Sequence, residues 1–101
     1  MTQMTSDIKN LLKKLNIKDT GRYDNHFYVI DLKDSNEFAK FYTKLDKNAT
    51  NLEFPTQEYN TNDNLTKTTF YFETNEDNTT YQIFLIGDYK EEKYLLKIGE
   101  K

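Results

Sequence analysis

The stretch that decides the fold is residues 67–98, KTTFYFETNEDNTTYQIFLIGDYKEEKYLLKI. Apolar and polar side chains alternate along residues 67–74 and again along residues 80–86, and residues 75–78 between them are all turn formers. Residues 87–92 form a second polar break before residues 93–98. The pattern predicts three antiparallel strands joined by tight turns, a meander at the C-terminal side of the chain.

Two amphipathic helices are predicted upstream of the meander. In the first, Ser6 is placed to cap a stripe with the spacing i, i+3, i+4, i+7, formed by Ile8, Leu11, Leu12 and Leu15. In the second, Asp34 and Glu37 have the spacing of a capping box, in which Glu37 reaches back to the Asp34 amide. The same apolar spacing follows in Phe38, Phe41, Tyr42 and Leu45.

Two more strands complete the expected fold. Residues 22–32 are apolar on both faces around their middle, which predicts a covered, central strand. Residues 51–56 predict a short strand with Leu52 and Phe54 inward, and Pro55 places it at an edge. Residues 57–64 read as a polar loop.

The sequence therefore predicts one α+β domain over residues 1–101, in the order α-β-α-β-β-β-β, with two helices packed on a mainly antiparallel sheet. Its length, with eight Tyr and seven Phe, is enough for a small aromatic-rich core. We expect this core to contain Leu11, Leu12, Leu15, Phe27, Val29, Ile30, Phe38, Phe41, Leu45, Phe70, Phe72, Ile83, Leu85 and Leu96.

Composition argues against several function classes. The chain has no Cys, no secretory leader pattern and no membrane-length apolar run, so we expect a cytoplasmic protein without disulfides, in the host cytoplasm if it is viral. His26 is the only His, three Gly are too few for a phosphate loop, and no metal-ligand spacing occurs. We expect no catalytic site, metal or small-molecule cofactor.

Charge is distributed unevenly along the chain. Residues 51–101 carry ten acidic against five basic side chains, whereas residues 1–50 carry seven against nine. Hairpin topology should gather four carboxylates and a tyrosine at one end of the sheet, which we call the acidic end: Asp63, Asp88, Tyr89, Glu91 and Glu92. With Tyr59 in the neighbouring loop, this end is a predicted docking surface for a basic protein partner.

A second hypothesis uses the opposite charge. Four lysines on the solvent faces of the first helix could contact phosphates and give weak, sequence-independent nucleic-acid binding: Lys9, Lys13, Lys14 and Lys18. Solvated lysines are also usual on any amphipathic helix. This hypothesis therefore ranks below protein binding.

In size, composition and the lack of a catalytic motif, the chain resembles the small proteins with which phages and mobile elements block host defences, such as anti-CRISPR and anti-restriction proteins. The resemblance implies a non-enzymatic inhibitor or regulator for host-defence evasion, acting as a monomer or homodimer. Its expected partner is a protein, and a basic nucleic-acid-binding host protein is the class that suits an acidic surface.

Overall fold

A computed structural model describes the backbone of residues 2–101 and the side chains from Ile8 onward. That part of the chain contains two helices, α1 (Thr2–Leu15) and α2 (Ser35–Asn48). It also contains seven strands, namely β1 (Arg22–Asp24), β2 (Phe27–Leu32), β3 (Asn51–Leu52), β4 (Thr56–Tyr59), β5 (Leu65–Glu76), β6 (Thr79–Asp88) and β7 (Lys93–Glu100). The predicted α+β class and the order of helical and strand blocks are confirmed. The strand predicted over residues 22–32 is divided into β1 and β2, and β4 lies mostly within residues 57–64, which were predicted to be a loop.

The strands form one sheet in the order β1-β2-β7-β6-β5-β3, and β4 also pairs with β5. Every pairing is antiparallel. The predicted meander β5-β6-β7 is confirmed, and β7 inserts between β6 and β2. The long strand β5 therefore has its outer side covered only by the two short strands β3 and β4.

Cross-strand rows of apolar side chains build the core under the helices. Residues that face each other in an antiparallel pair lie on the same side of the sheet, so the register defines these rows. Going from β2 through β7 and β6 to β5, two rows are Ile30, Leu96, Leu85, Phe70 and Tyr28, Ile98, Ile83, Phe72. Both helices contribute to the same cluster, through Ile8, Leu11, Leu12 and Leu15 of α1 and Phe38 and Leu45 of α2.

The predicted core is largely correct, with two kinds of exception. Phe41 and Phe70 are only partly buried at the margin of the cluster, and Phe27 lies half-buried on the opposite face of the sheet. The prediction omitted six core residues: Ile8, Ile17, Tyr28, Leu32, Tyr81 and Ile98.

The capping box of α2 forms with one change. The Asp34 carboxylate accepts a hydrogen bond from the Glu37 amide at 3.0 Å, as expected of an N-cap. Glu37 reaches back to the amide of Lys33 at 2.8 Å rather than to that of Asp34. In α1 the helix begins at Thr2, before the predicted cap, and the Ser6 side chain lies outside the described residues.

The single strand predicted over residues 22–32 is wrong. It is a hairpin, in which Asp24 pairs with Phe27 and the two residues between them, Asn25 and His26, form the turn. Asn25 has a positive φ of 59°, a conformation that asparagine tolerates better than most residues. The apolar part of the predicted strand survives as β2, which lies between β1 and β7.

The strand predicted over residues 51–56 is also wrong in part. Its edge position is confirmed, because β3 and β4 both pair only with β5. Leu52 and Phe54, however, are not inward: their exposed fractions are 50% and 96%. Pro55 lacks an amide hydrogen, and regular pairing is interrupted between β3 and β4, where the Glu53 amide still donates to the Tyr71 carbonyl at 3.4 Å.

The ring of Phe38 fixes α2 on the sheet. The third cross-strand row contains Gly87, and a Cβ atom there would lie 2.8 Å from Cζ of Phe38. Glycine thus leaves the space that the ring fills. Around it lie the rings of Tyr94, Phe70 and Tyr89, with centroid separations of 5.4, 6.0 and 6.5 Å.

Replacing Phe38 should therefore cost much more than replacing its neighbour Phe41. We expect Phe38→Ala to lower the free energy of unfolding by about 3–5 kcal/mol, the range for emptying a buried aromatic site. Phe41→Ala, at the partly buried margin, should lower it by roughly half as much. Urea denaturation followed by circular dichroism measures both, and equal losses would show that Phe38 is not the anchor.

Candidate docking edge

The most exposed continuous stretch of the described chain is the edge segment, residues 51–64. All fourteen residues are exposed, three are acidic (Glu53, Glu58 and Asp63) and none is Lys or Arg. The segment also carries three of the large apolar side chains most open to solvent, Leu52, Phe54 and Tyr59. Glu58 faces Lys67 across the β4–β5 pair, whereas the segment itself supplies no basic side chain. Exposed apolar area beside carboxylates is the composition of a recognition surface for a basic partner.

Local pairing explains why the edge segment stays on the outside. At its start, the Thr50 amide donates to the Glu73 carbonyl at 2.8 Å, and β3 then pairs for only two residues. Pairing resumes in β4, opposite the first part of β5. At the end of the segment, the Asn60 side chain accepts hydrogen bonds from the amides of Asn62 and Asn64, which closes the turn.

An apolar groove of about 330 Å³ lies where regular pairing between the edge segment and β5 is interrupted. We call it the edge groove, and its walls are Tyr42 and Asp46 of α2, Leu52, Glu53, Phe54 and Pro55 of the edge segment, and Phe70, Tyr71 and Phe72 of β5. The ring of Tyr42 lies 4.6 Å from Phe70 and 5.9 Å from Phe72, centroid to centroid. Packed rings thus form the groove's floor, on which an apolar side chain can settle.

The charge of the edge groove is negative. Asp46 and Glu53 are its only ionisable carboxylates, and no Lys or Arg lines it. Burial, together with the hydrogen bond that Tyr71 donates to Glu73, raises the pKa of Tyr71 to about 12. Tyr71 therefore stays a neutral donor, and an occupant meets rings and two carboxylates.

Glu73 anchors the sheet beside the groove. Only 8% of this residue is exposed, and its Oε2 accepts hydrogen bonds from Nζ of Lys101 and the Tyr71 hydroxyl, each at 2.7 Å. The pKa of Glu73 lies below its ordinary value of 4.5. The hydrogen bond from the Lys101 ammonium is the larger cause, and the one from the Tyr71 hydroxyl is the second. The negative charge of this carboxylate is thus compensated by Lys101 within the protein, and the group is not free to bind a partner.

The strand register places the residues of the predicted acidic end at one end of the sheet, and it also places lysines beside one of the carboxylates. Asp63 lies in the turn before β5, whereas Asp88, Glu91 and Glu92 lie at or after the end of β6, which meets the start of β5. Asp88 faces a lysine on each side, Lys67 and Lys93. Its Oδ1 also accepts from the Glu91 amide at 3.0 Å, a turn-forming role.

The two tyrosines predicted for this surface differ in exposure. Tyr59 is 57% exposed on β4 and belongs to the edge segment. Tyr89 is partly buried: its ring packs against Phe38 and Tyr94, and its hydroxyl donates to Oγ1 of Thr68 at 3.1 Å. The Tyr89 ring therefore contributes to the cluster that holds α2, and only part of it is open to a partner.

The four predicted lysines are all exposed, but α1 ends at Leu15, so Lys18 does not lie on the helix as predicted and only three of the four do: Lys9, Lys13 and Lys14. Lys14 is nevertheless engaged, since its Nζ donates to the Asn75 carbonyl at 2.8 Å and lies 3.7 Å from a carboxylate oxygen of Glu76. Its ammonium group is thus held at the end of β5. The structure therefore does not unite the four lysines as one site.

Two further observations concern the described residues. His26 is exposed in the β1-β2 turn, and no group of three or more potential metal-ligating side chains occurs in that part of the chain. Neither helix within it has the length and apolar character needed to cross a membrane.

Sequence reasoning missed the side chains that form the edge groove. Tyr42 was predicted on the apolar stripe of the second helix, and Leu52 and Phe54 were predicted to point inward, yet each is more than a third exposed. The clue was Pro55: a strand holding a proline just after an aromatic residue loses its pairing there, and the aromatic side chain then has no core to enter.

Acid unfolding tests the Glu73 network. A carboxylate with a lowered folded-state pKa gives stability that is present above its unfolded pKa and lost as pH falls through the folded one. The free energy of unfolding should thus fall as pH drops below about 4.5, and Glu73→Gln should be less stable at neutral pH and lose less on acidification. Urea titrations across this range measure the slope, with Glu100→Gln on the exposed strand end as control, and matching slopes in the two variants would contradict the assignment.

No protein-family model, no curated protein and no solved structure matches this chain. The proposals that follow therefore rest on the surface chemistry of the described residues.

Proposed function

We propose that this chain is a non-enzymatic binding module that docks a basic, partly apolar segment of a protein partner along its edge segment and into the edge groove. The observation that carries the proposal is Phe54. Its side chain is 96% exposed beside a ring-floored groove, in a segment with three acids and no base. A free aromatic side chain of this kind costs solubility unless something covers it.

The groove and its charges support a specific kind of occupant. An aliphatic or aromatic side chain would bury itself between Phe54 and the Tyr42–Phe70 rings, where apolar area removed from water gives most of the affinity. Neighbouring Lys or Arg side chains would meet Asp46 and Glu53. A segment that mixes basic and apolar residues would contact both the aromatic rings and the carboxylates of the groove.

The acidic end would act at longer range. Its residue Asp63 lies in the turn that follows β4, and its carboxylates would add to the negative field that steers a basic partner. Because Lys67 and Lys93 face Asp88, this end contributes less to the bound contact than the groove does. We propose a role in speeding encounter and a smaller one in holding the complex.

Blocking a basic partner is the action of an inhibitor or regulator. We propose that the chain belongs functionally with the anti-CRISPR and anti-restriction proteins of phages and mobile elements, and that its target is a basic nucleic-acid-binding host protein in the cytoplasm. A partner whose basic surface normally meets phosphates offers the apolar-plus-cationic contact that the edge groove complements.

A defined peptide tests the groove. The probe is a fluorescein-labelled peptide that alternates Arg and Leu, read by fluorescence anisotropy. Phe54→Ser should weaken binding by about tenfold or more, the usual loss when a central aromatic anchor is removed. Tyr23→Ser is the matched control, because Tyr23 is a 46% exposed tyrosine on β1 at the other edge of the sheet. Equal losses in both variants would exclude the groove.

Charge reversals distinguish the residues that hold the bound peptide from the residues that speed its association. Asp46→Lys with Glu53→Lys should raise the dissociation rate of the peptide, since both side chains line the groove. Glu91→Lys with Glu92→Lys changes the net charge by the same amount and should mainly slow association. Stopped-flow measurement resolves the association and dissociation rates. Identical effects of the two double variants on both rates would show that only the net charge of the protein matters.

A further inference from the structure

The second charged feature of the molecule lies between its helices. An open cleft of about 410 Å³ is bounded by the end of α1 and one face of α2. Three lysines of α2, Lys40, Lys44 and Lys47, have the spacing i, i+4, i+7 that puts them on that face, and Lys14 of α1 stands opposite. We call these four residues the lysine cleft.

Two of the lysines are held in place. Nζ of Lys44 donates to the Asn16 carbonyl at 2.8 Å, which joins α2 to the residue after α1. Nζ of Lys14 donates to the Asn75 carbonyl at the same distance. Their ammonium groups therefore stand at fixed positions on opposite walls and lose little freedom when a ligand binds.

The other two lysines are open to a ligand. Lys40 and Lys47 are exposed, and neither has an ion-pair partner within the described part of the chain. Among the side chains described from Ile8 onward, no Asp or Glu lines the cleft, and Lys14 forms an ion pair with Glu76. Four ammonium groups around one cleft repel one another, and a multivalent anion would relieve that repulsion.

We propose that the lysine cleft binds consecutive phosphates of a polyanionic chain. Thr43 and Asn48 also line the cleft, but their side chains already donate to the Ala39 and Lys44 carbonyls, so ammonium groups supply the contacts. Lysine acts on phosphate as a point charge, and several lysines suit a ligand with several charges better than a single carboxylate. The shared chemistry is a phosphate chain, from a nucleic-acid backbone or from a compact polyphosphate.

This site differs from the one expected from the sequence. The α1 lysines were the predicted phosphate contacts, but only Lys14 of that set lines the cleft, and three of its four lysines come from α2. Their spacing was visible in the sequence as the polar side of an amphipathic helix. Only the packing of α1 against α2 turns it into a cleft.

Anisotropy with a labelled DNA duplex of about 20 base pairs, measured between about 50 and 200 mM salt, tests the proposal. The variant is Lys40→Glu with Lys47→Glu, and the control is Lys33→Glu with Lys90→Glu, two exposed lysines outside the cleft with the same change in net charge. The cleft variant should bind about tenfold or more weakly and lower the salt slope by about two, since each neutralised phosphate contributes about 0.9. The control should keep its slope.

Tripolyphosphate, followed by calorimetry and by amide shifts of ¹⁵N-labelled protein, distinguishes the two sources. Saturable binding with shifts at Thr43 and Asn48 indicates a compact phosphate chain, whereas duplex binding alone indicates a nucleic-acid backbone; either supports the cleft. Absence of wild-type binding to both probes at low salt, or equal losses in the two double variants, would overturn it. Circular dichroism confirms folding of each variant beforehand.

Discussion

The contact between the Phe38 ring and the space above Gly87 is the constraint on which the rest of the structure depends. A glycine at that point of β6 lets an aromatic ring reach the sheet, and the rings of Phe70, Tyr89 and Tyr94 close around it. Because this contact lies near the start of α2, it fixes the position of the whole helix. Residues of that helix line both surfaces that we propose to bind ligands.

α2 accordingly presents three chemically distinct faces. Phe38 and Leu45 face the core, Tyr42 and Asp46 face the edge groove, and Lys40, Lys44 and Lys47 face the lysine cleft. Residues only a few positions apart along the helix thus line a negative, aromatic surface on one side and a positive surface on another. A molecule of net charge −3 can therefore offer complementary contacts to a basic protein and to a phosphate chain.

Much of the fold was readable from the sequence, and the reasons are local. Alternation predicted β5, β6 and β7, and the Asp34–Glu37 spacing marked the start of α2, because both depend on neighbouring residues. The docking edge was not readable, since spacing alone treats every large apolar residue as core. Phe54 lies outside the core beside Pro55, where regular strand pairing is interrupted, and spacing along the chain does not show this.

Photo-crosslinking from position 54 tests the central claim most directly, that this edge binds a basic protein. A benzophenone amino acid replaces Phe54 in one protein and the exposed Tyr23 of the opposite edge in another, and both are irradiated in lysate of the organism that encodes the chain. The account predicts a discrete set of basic proteins captured from position 54, absent from position 23 and lost when Asp46 and Glu53 are reversed to Lys. The same proteins captured from both positions, or a set without basic character, would contradict it.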